Sequence, residues 1–184
     1  MPIFQLPDGS KREYNNSVCG NDIASSIGKR LAKDAVAIKV NDELWDLTRE
    51  IPFDSKIEII TRNCDNGLEM LRHDAAHVMA EAVKELWPDT QVTIGPPIEN
   101  GFYYDFYREK PFSEDDLKII ENRMKEIIDR DEKIYREVWD RNEAINFFRS
   151  IGEQYKAEII EDIPVDETIT LYKQGDFIDL CRGP

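Results

Sequence analysis

Histidine is nearly absent from this chain, which has only His73 and His77 among its 184 residues. Cysteine is almost as scarce. Cys19, Cys64 and Cys181 are odd in number and irregularly spaced, which excludes a disulfide framework and fits a reducing compartment, the cytoplasm. No apolar run approaches the roughly 20 residues that span a bilayer, so no membrane partner is expected. The opening MPIFQLPDGS lacks the basic segment and apolar stretch of an export signal. Positive charge is short as well, with 24 basic against 38 acidic side chains and a net charge of -14. Affinity for phosphate backbones is mainly electrostatic, so this balance excludes a surface that attracts nucleic acid generally. Binding to RNA should be weak and local, with Lys29, Arg30 and Lys33, or Arg108 and Lys110, as contacts. The same clusters also fit ordinary solvated surface. No internal repeat or low-complexity tract is present.

What is there divides near residue 62. Before it, short extended runs dominate. Ile3 to Leu6 and Lys11 to Tyr14 flank the turn Pro7-Asp8-Gly9-Ser10. Asn21 is placed to cap a short helix that carries Ile23, Ala24 and Ile27 and stops at Gly28. Ala35 to Val40, Glu43 to Leu47 and Lys56 to Thr61 complete a strand set. Residues 1–62 are therefore expected to form a small mixed sheet on one helix, an α+β module of β-grasp type.

Residues 63–184 predict a second α+β domain, a long central helix packed against antiparallel strands. Leu68, Leu71, Ala75, Met79, Ala82 and Leu86 recur at helical spacing until Pro88. Gln91 to Gly95 and Phe102 to Tyr107 read as strands. Ser113-x-x-Asp116 opens a helix whose expected buried face is Leu117, Ile120, Met124, Ile127 and Ile128. Asp140-x-x-Glu143 opens another, ending near Gly152. Ala157 to Ile160, Thr168 to Tyr172 and Asp176 to Cys181 read as short strands.

Four features of this second half bear chemistry. His73 and His77, four residues apart on the long helix, share one helical face. That arrangement suits metal ligation or two acid/base groups in one pocket, and also two separately satisfied histidines. Alternation in Gly101-Phe102-Tyr103-Tyr104-Asp105 puts Phe102 and Tyr104 on one face, for core packing or a pocket wall. In the last run, Asp179 and Cys181 share a face opposite Ile178 and Leu180. A thiol beside a carboxylate becomes a ligand or pocket donor only near the histidines. Lys156 is a lone lysine, a pattern that by itself reads as surface charge.

Taken together, the opening module, RHDAAH, LWPDTQVTIGPPIENGFYYDF, GEQYK and DLCRGP resemble bacterial members of the threonyl-tRNA synthetase family across the whole chain, in family order. The first module resembles the TGS domain. The second resembles the editing domain of threonyl- and alanyl-type enzymes, whose signature is H-x-x-x-H followed later by C-x-x-x-H. The resemblance implies an N-terminal fragment ending one residue before the final motif histidine. It implies an editing site that hydrolyses the ester of mischarged seryl-tRNA(Thr), with His73, His77 and Lys156 catalytic and Tyr104, Asp179 and Cys181 binding substrate. On that reading His73 holds a ribose hydroxyl or the water, and Lys156 acts as base or electrostatic stabiliser. Asp179 fixes the seryl amino group, while Tyr104, His77 and Cys181 shape the pocket and position the water.

No cofactor is implied for this part of the family's chain. Zn2+ and Mg-ATP belong to a catalytic core further along, and an alternative places Zn2+ on His73, His77 and Cys181, as in the alanyl relatives. The implied partner is the acceptor end of tRNA(Thr), and the parent is expected to be a homodimer. The competing readings are a non-catalytic clamp on the acceptor arm and a zinc-dependent hydrolase of the alanyl kind.

Overall fold

The computed structural model describes all 184 residues, and no helix in it is long and apolar enough to cross a membrane. The chain is α+β throughout and divides into two compact units. The first comprises Met1–Leu71 with Gly183–Pro184, and the second Arg72–Arg182.

In the first unit, β1 (Ile3–Gln5) and β2 (Lys11–Glu13) form the expected hairpin, with Gly9 at φ 83° in its turn. After β3 (Val18–Cys19) come α1 (Gly20–Ile27) and α2 (Lys29–Asp34). Then β4 (Ala35–Val40), β5 (Glu43–Trp45), β6 (Glu50–Ile51) and β7 (Ser55–Thr61) follow. The main sheet runs β2-β1-β7-β4-β5, with β1 parallel to β7 and the other neighbours antiparallel. Its apolar face packs Phe4, Ile38, Val40, Trp45 and Ile57 against Ile23 of α1. Burial of six such side chains, at about 25 cal/mol per Å², is the main force holding the unit together.

Three details depart from the sequence pattern. The cap of α1 is Cys19, not Asn21, because Asp22 reaches back to accept the Cys19 N–H at 3.1 Å. The helix α2 and the two-residue pair β3–β6 were not expected, since six- and two-residue elements are too short to show a period. The unit extends past residue 62 because Met70 packs on Ala37 and Ile60.

The second unit is built around α3 (Asp65–Leu86), whose first turns belong to the first unit. A loop layer holds β8 (Gln91–Val92), β9 (Pro97–Ile98), β10 (Gly101–Phe102) and β11 (Phe106–Tyr107). Then come α4 (Glu114–Asp129), β12 (Ile134–Trp139), α5 (Arg141–Ser150), α6 (Gln154–Asp162), β13 (Ile169–Gln174) and β14 (Phe177–Leu180). The last three strands make one antiparallel sheet, β12-β13-β14. Ser113 and Asp140 cap α4 and α5 as their sequences indicate.

The expected single stripe on α3 is replaced by burial on two sides. Ala76 and Ala80 pack on Val92 and Tyr104, while Val78, Ala82 and Val83 pack with Ile120 and Ile127 of α4. Leu68 and Leu71 are exposed. On α4 only Ile120 and Ile127 are fully buried, with Leu117 at 60% and Ile128 at 61% exposure, so the buried face is narrower than the periodicity suggested. The segments 91–95 and 102–107 are mostly loop, paired over only two residues at a time. Ala157 to Ile160 is helical rather than extended, because Lys156, Ala157 and Ile160 face inward at a spacing that only a helix satisfies. Strand β12 was missed because its exposed residues break the apolar alternation.

Arg108 also departs from expectation. Its guanidinium lies 4.6 Å from the ring centres of both Trp87 and Phe112, and its Nη1 is buried without a hydrogen-bond partner. It is a half-buried residue stacked on two rings rather than a freely solvated cation.

Candidate active site

Four elements of the second unit converge on one cavity of about 480 Å³. The helix α3 contributes His73 and His77, and α6 contributes Lys156. The loop between β10 and β11 contributes Tyr104, and the end of β14 contributes Asp179 and Cys181. Ala76 and Ala80, one helical turn apart on α3, let Tyr104 close on the helix. Antiparallel pairing of β13 with β14 sets Asp179 opposite Tyr172. It also lets Cys181 donate its N–H to Thr170 at 3.2 Å and accept the Thr170 hydroxyl on its carbonyl. All six residues singled out in the sequence are brought together.

Asp179 is the hub, with 1% exposure. Its Oδ1 meets Lys156 Nζ at 2.5 Å and accepts the Leu180 N–H at 2.8 Å. Its Oδ2 accepts from His77 Nδ1 and from the Tyr104 hydroxyl, each at 2.8 Å. Lys156, 3% exposed, also donates to the Tyr104 oxygen at 3.0 Å. A carboxylate offers about four acceptor positions, and here all four are used. Asp179 thus ties Lys156, His77 and Tyr104 to one carboxylate. Lys156 is a buried ammonium in an ion pair rather than a surface charge.

The electrostatics follow from this packing. Burial pushes the Asp179 carboxyl up, but the Lys156 charge and the His77 hydrogen bond outweigh it and hold the group well below the usual carboxylate range. Burial and the adjacent Asp179 charge push the Tyr104 hydroxyl far above its ordinary value, so it stays protonated. Burial disfavours a charged His77, yet its hydrogen bonds to Asp179 and Cys181 raise it to about 10. Burial likewise raises the Cys181 thiol, and the hydrogen bonds from His73 and His77 bring it down to about 6. Each group thus favours the charged form of the other, His77 toward imidazolium and Cys181 toward thiolate.

With Nδ1 of His77 committed to Asp179, its Nε2 lies 3.2 Å from His73 Nε2. Cys181 Sγ lies 3.3 Å from the same His73 nitrogen. The three ligand-type atoms of His73, His77 and Cys181 fall within 4.8 Å of one another, which suits three corners of a tetrahedral metal site. A carboxylate holding a histidine's second nitrogen, as Asp179 holds His77, is also the usual support behind a metal-ligating histidine.

Sequence reasoning missed two supporting residues. Thr170 anchors the backbone at Cys181. Glu153, buried at the start of α6, pairs with Lys84 of α3 and accepts the Val92 N–H at 2.9 Å, fixing the helix that carries Lys156. Neither carries a spacing signal, because each acts on a partner distant in sequence.

Comparison with known proteins adds an independent line. The TGS domain family matches residues 1–61. The threonine–tRNA ligase of Alkalilimnicola ehrlichii is 59% identical over 184 residues, covering all of this chain and 29% of that protein. The threonine–tRNA ligase of Phenylobacterium zucineum is 60% identical over 179 residues, 97% of this chain and 27% of that protein. That of Acidiphilium cryptum is 57% identical over the full chain and 29% of its own length. The chain thus spans under a third of these relatives. Its opening residues form a TGS domain, and the chain as a whole is homologous to the N-terminal region of threonine–tRNA ligases.

Proposed function

We propose that the cavity of the second unit is an editing site that hydrolyses the ester of seryl-tRNA(Thr). The observation that carries this reading is the convergence of His73, His77, Tyr104, Lys156, Asp179 and Cys181 on one cavity in a relative of threonine–tRNA ligases. Serine lacks one methyl group of threonine, and such a difference is worth only about 1–3 kcal/mol in a single binding step. A second site that admits the smaller ester corrects the errors.

In this reading water attacks the ester carbonyl carbon. His73, whose Nε2 is 3.2 Å from His77 and 3.3 Å from Cys181, orients the water or the adjacent ribose hydroxyl. A proton taken there has the Cys181 sulfur as the neighbour that can receive it, since His77 already holds its protons. The Lys156 ammonium, held by Asp179 and Tyr104, supplies positive charge for the oxyanion. Collapse breaks the bond to the ribose oxygen, which takes a proton and leaves with the tRNA as free serine departs. Asp179 takes part by holding His77, Lys156 and Tyr104 in register. The partner is the acceptor end of tRNA(Thr). In the whole protein this site would serve a cytoplasmic, homodimeric, ATP-dependent ligase whose own zinc and Mg-ATP sites lie elsewhere.

A second reading adds Zn2+ at His73, His77 and Cys181, favoured by the spacing of their ligand atoms. An ion there would polarise the ester carbonyl or its attacking water. Incubation of the chain with seryl-tRNA(Thr) and threonyl-tRNA(Thr) tests both readings. Hydrolysis of the seryl ester alone is expected, falling at least about 100-fold in His73→Ala and Lys156→Ala. Full activity in both variants refutes the assignment, and tRNA binding without hydrolysis supports the clamp. Loss of activity with a chelator, together with one equivalent of zinc by elemental analysis, selects the metal form.

A further inference from the structure

Gly95 lines the same cavity and has no role in the chemistry above. Its φ lies outside the left-handed region, so backbone conformation does not demand glycine there. Space does. A Cβ at this position would stand 2.1 Å from Cδ2, 2.7 Å from Cγ and 2.8 Å from Cε2 of Tyr104. These are ring atoms, not the end of a flexible chain.

The ring has nowhere to retreat. Tyr104 is buried and stacks on Phe106 with centroids 4.9 Å apart and planes at 22°. Its hydroxyl is pinned between Asp179 at 2.8 Å and Lys156 at 3.0 Å. On the other side Val92, Ala76 and Ala80 close the cluster.

We infer that Gly95 is a positioning residue for the reaction, resting on the proposed hydrolysis, whose missing side chain sets where the Tyr104 ring lies. Any larger residue drives the ring off its seat and withdraws the phenol from the bridge between Lys156 and Asp179. The ion pair then loses a hydrogen bond on each partner, and the imidazole held by the same Asp179 oxygen shifts with it. Displacement of a catalytic group by about 1 Å costs on the order of 100-fold in rate. Gly95 touches no reacting atom in this account and acts only through Tyr104.

The test is a double-mutant cycle in the intact chain, read as kcat and KM for seryl-tRNA(Thr) hydrolysis, with thermal midpoints measured in parallel. Gly95→Ala is expected to lower kcat about 10- to 100-fold with KM changed less than about threefold. Adding Gly95→Ala to Tyr104→Ala, where the ring is gone, is expected to lower kcat no further. Wild-type rates in Gly95→Ala, or an equal fall in both backgrounds, would overturn the inference. If Gly95→Ala does not fold, the comparison of Tyr104→Ala with the double variant decides, since a folded and equally active double variant supports the steric route and an inactive one refutes it. A wild-type chain with no hydrolysis sinks the proposed function itself, a separate result from a null effect at Gly95.

Discussion

The two compact units solve opposite packing problems. The first buries apolar side chains almost exclusively, with Phe4, Ile23, Ile38 and Ile51 all at zero exposure and Ser55 its sole buried polar residue. The second buries four charged side chains, Glu81, Glu153, Lys156 and Asp179. Removing an ion from water costs several kcal/mol unless partners replace the solvent. A fold needs no such groups merely to be stable, as the first unit shows. Two of the four, Lys156 and Asp179, line the cavity proposed as the active site.

The largest effects should come from splitting the buried pair at the centre of that contrast. Asp179→Leu alone strands the Lys156 ammonium among Tyr104 and the α6 core, and is expected to cost about 3–5 kcal/mol of stability. Lys156→Met combined with Asp179→Leu removes both charges and is expected to recover most of that loss while hydrolysis stays absent. Urea unfolding of the single and double variants measures the recovery. A double variant as unstable as the single one would mean that the pair contributes to the fold as an ion pair in its own right.

The apolar unit should respond in the other way. Ile38 sits between α1 and the sheet and packs with Phe4 and Ile57. Ile38→Ala is expected to destabilise the first unit by about 2–5 kcal/mol through the cavity it leaves. Because no side chain of the proposed site belongs to that unit, seryl-tRNA hydrolysis per folded molecule is expected to stay within about twofold. Hydrogen exchange resolved along residues 1–61 gives the first number and the deacylation assay the second. A hydrolysis defect larger than the folding defect would show that the units share more than a chain.

The same contrast explains how much could be read in advance. The first unit was legible because short strands, Pro7-Asp8-Gly9-Ser10 and Asn41-Asp42 carry local signals, and the turn residues Asn41 and Asp42 do adopt φ of 50° and 71°. The pairing of His73 with His77 was legible from helical spacing, and the shared face of Asp179 and Cys181 from strand alternation. The site as a whole was gathered by resemblance rather than by physics, since nothing local in GEQYK says that Lys156 will be buried. The stripe on α3 failed for a related reason. A helix covered on two sides obeys no single face, so Leu68 and Leu71 point to solvent while Ala76 and Ala80 are sealed. The hydrogen-bond partners of Asp179 were also out of reach, because they lie 102, 75 and 23 residues away in sequence, a relation that only the tertiary structure supplies.

Glu81 is the remaining buried charge that the proposed chemistry does not use, and it offers the smallest and sharpest test. It lies on α3 one turn after His77, with 4% exposure. Burial first, then repulsion from Glu85, raises its carboxyl to about 7, while Arg130, 3.6 Å away, pulls it down and Glu132 adds to the rise. In the unfolded chain the group titrates near its ordinary 4.5. Between pH 4.5 and 7 the folded state keeps a proton that the unfolded state has released, so this residue's contribution to stability falls as pH rises and is level above 7. Glu81→Gln removes the titration. The variant is expected to match the wild type near pH 4.5 and to exceed it at pH 8 by on the order of 1 kcal/mol, after allowance for the solvent that Arg130 and Glu85 retain. Thermal midpoints for both proteins across that range measure the divergence. Parallel curves would show that Arg130 already neutralises Glu81 in the folded state, and that the second unit holds this charge as cheaply as it holds Asp179.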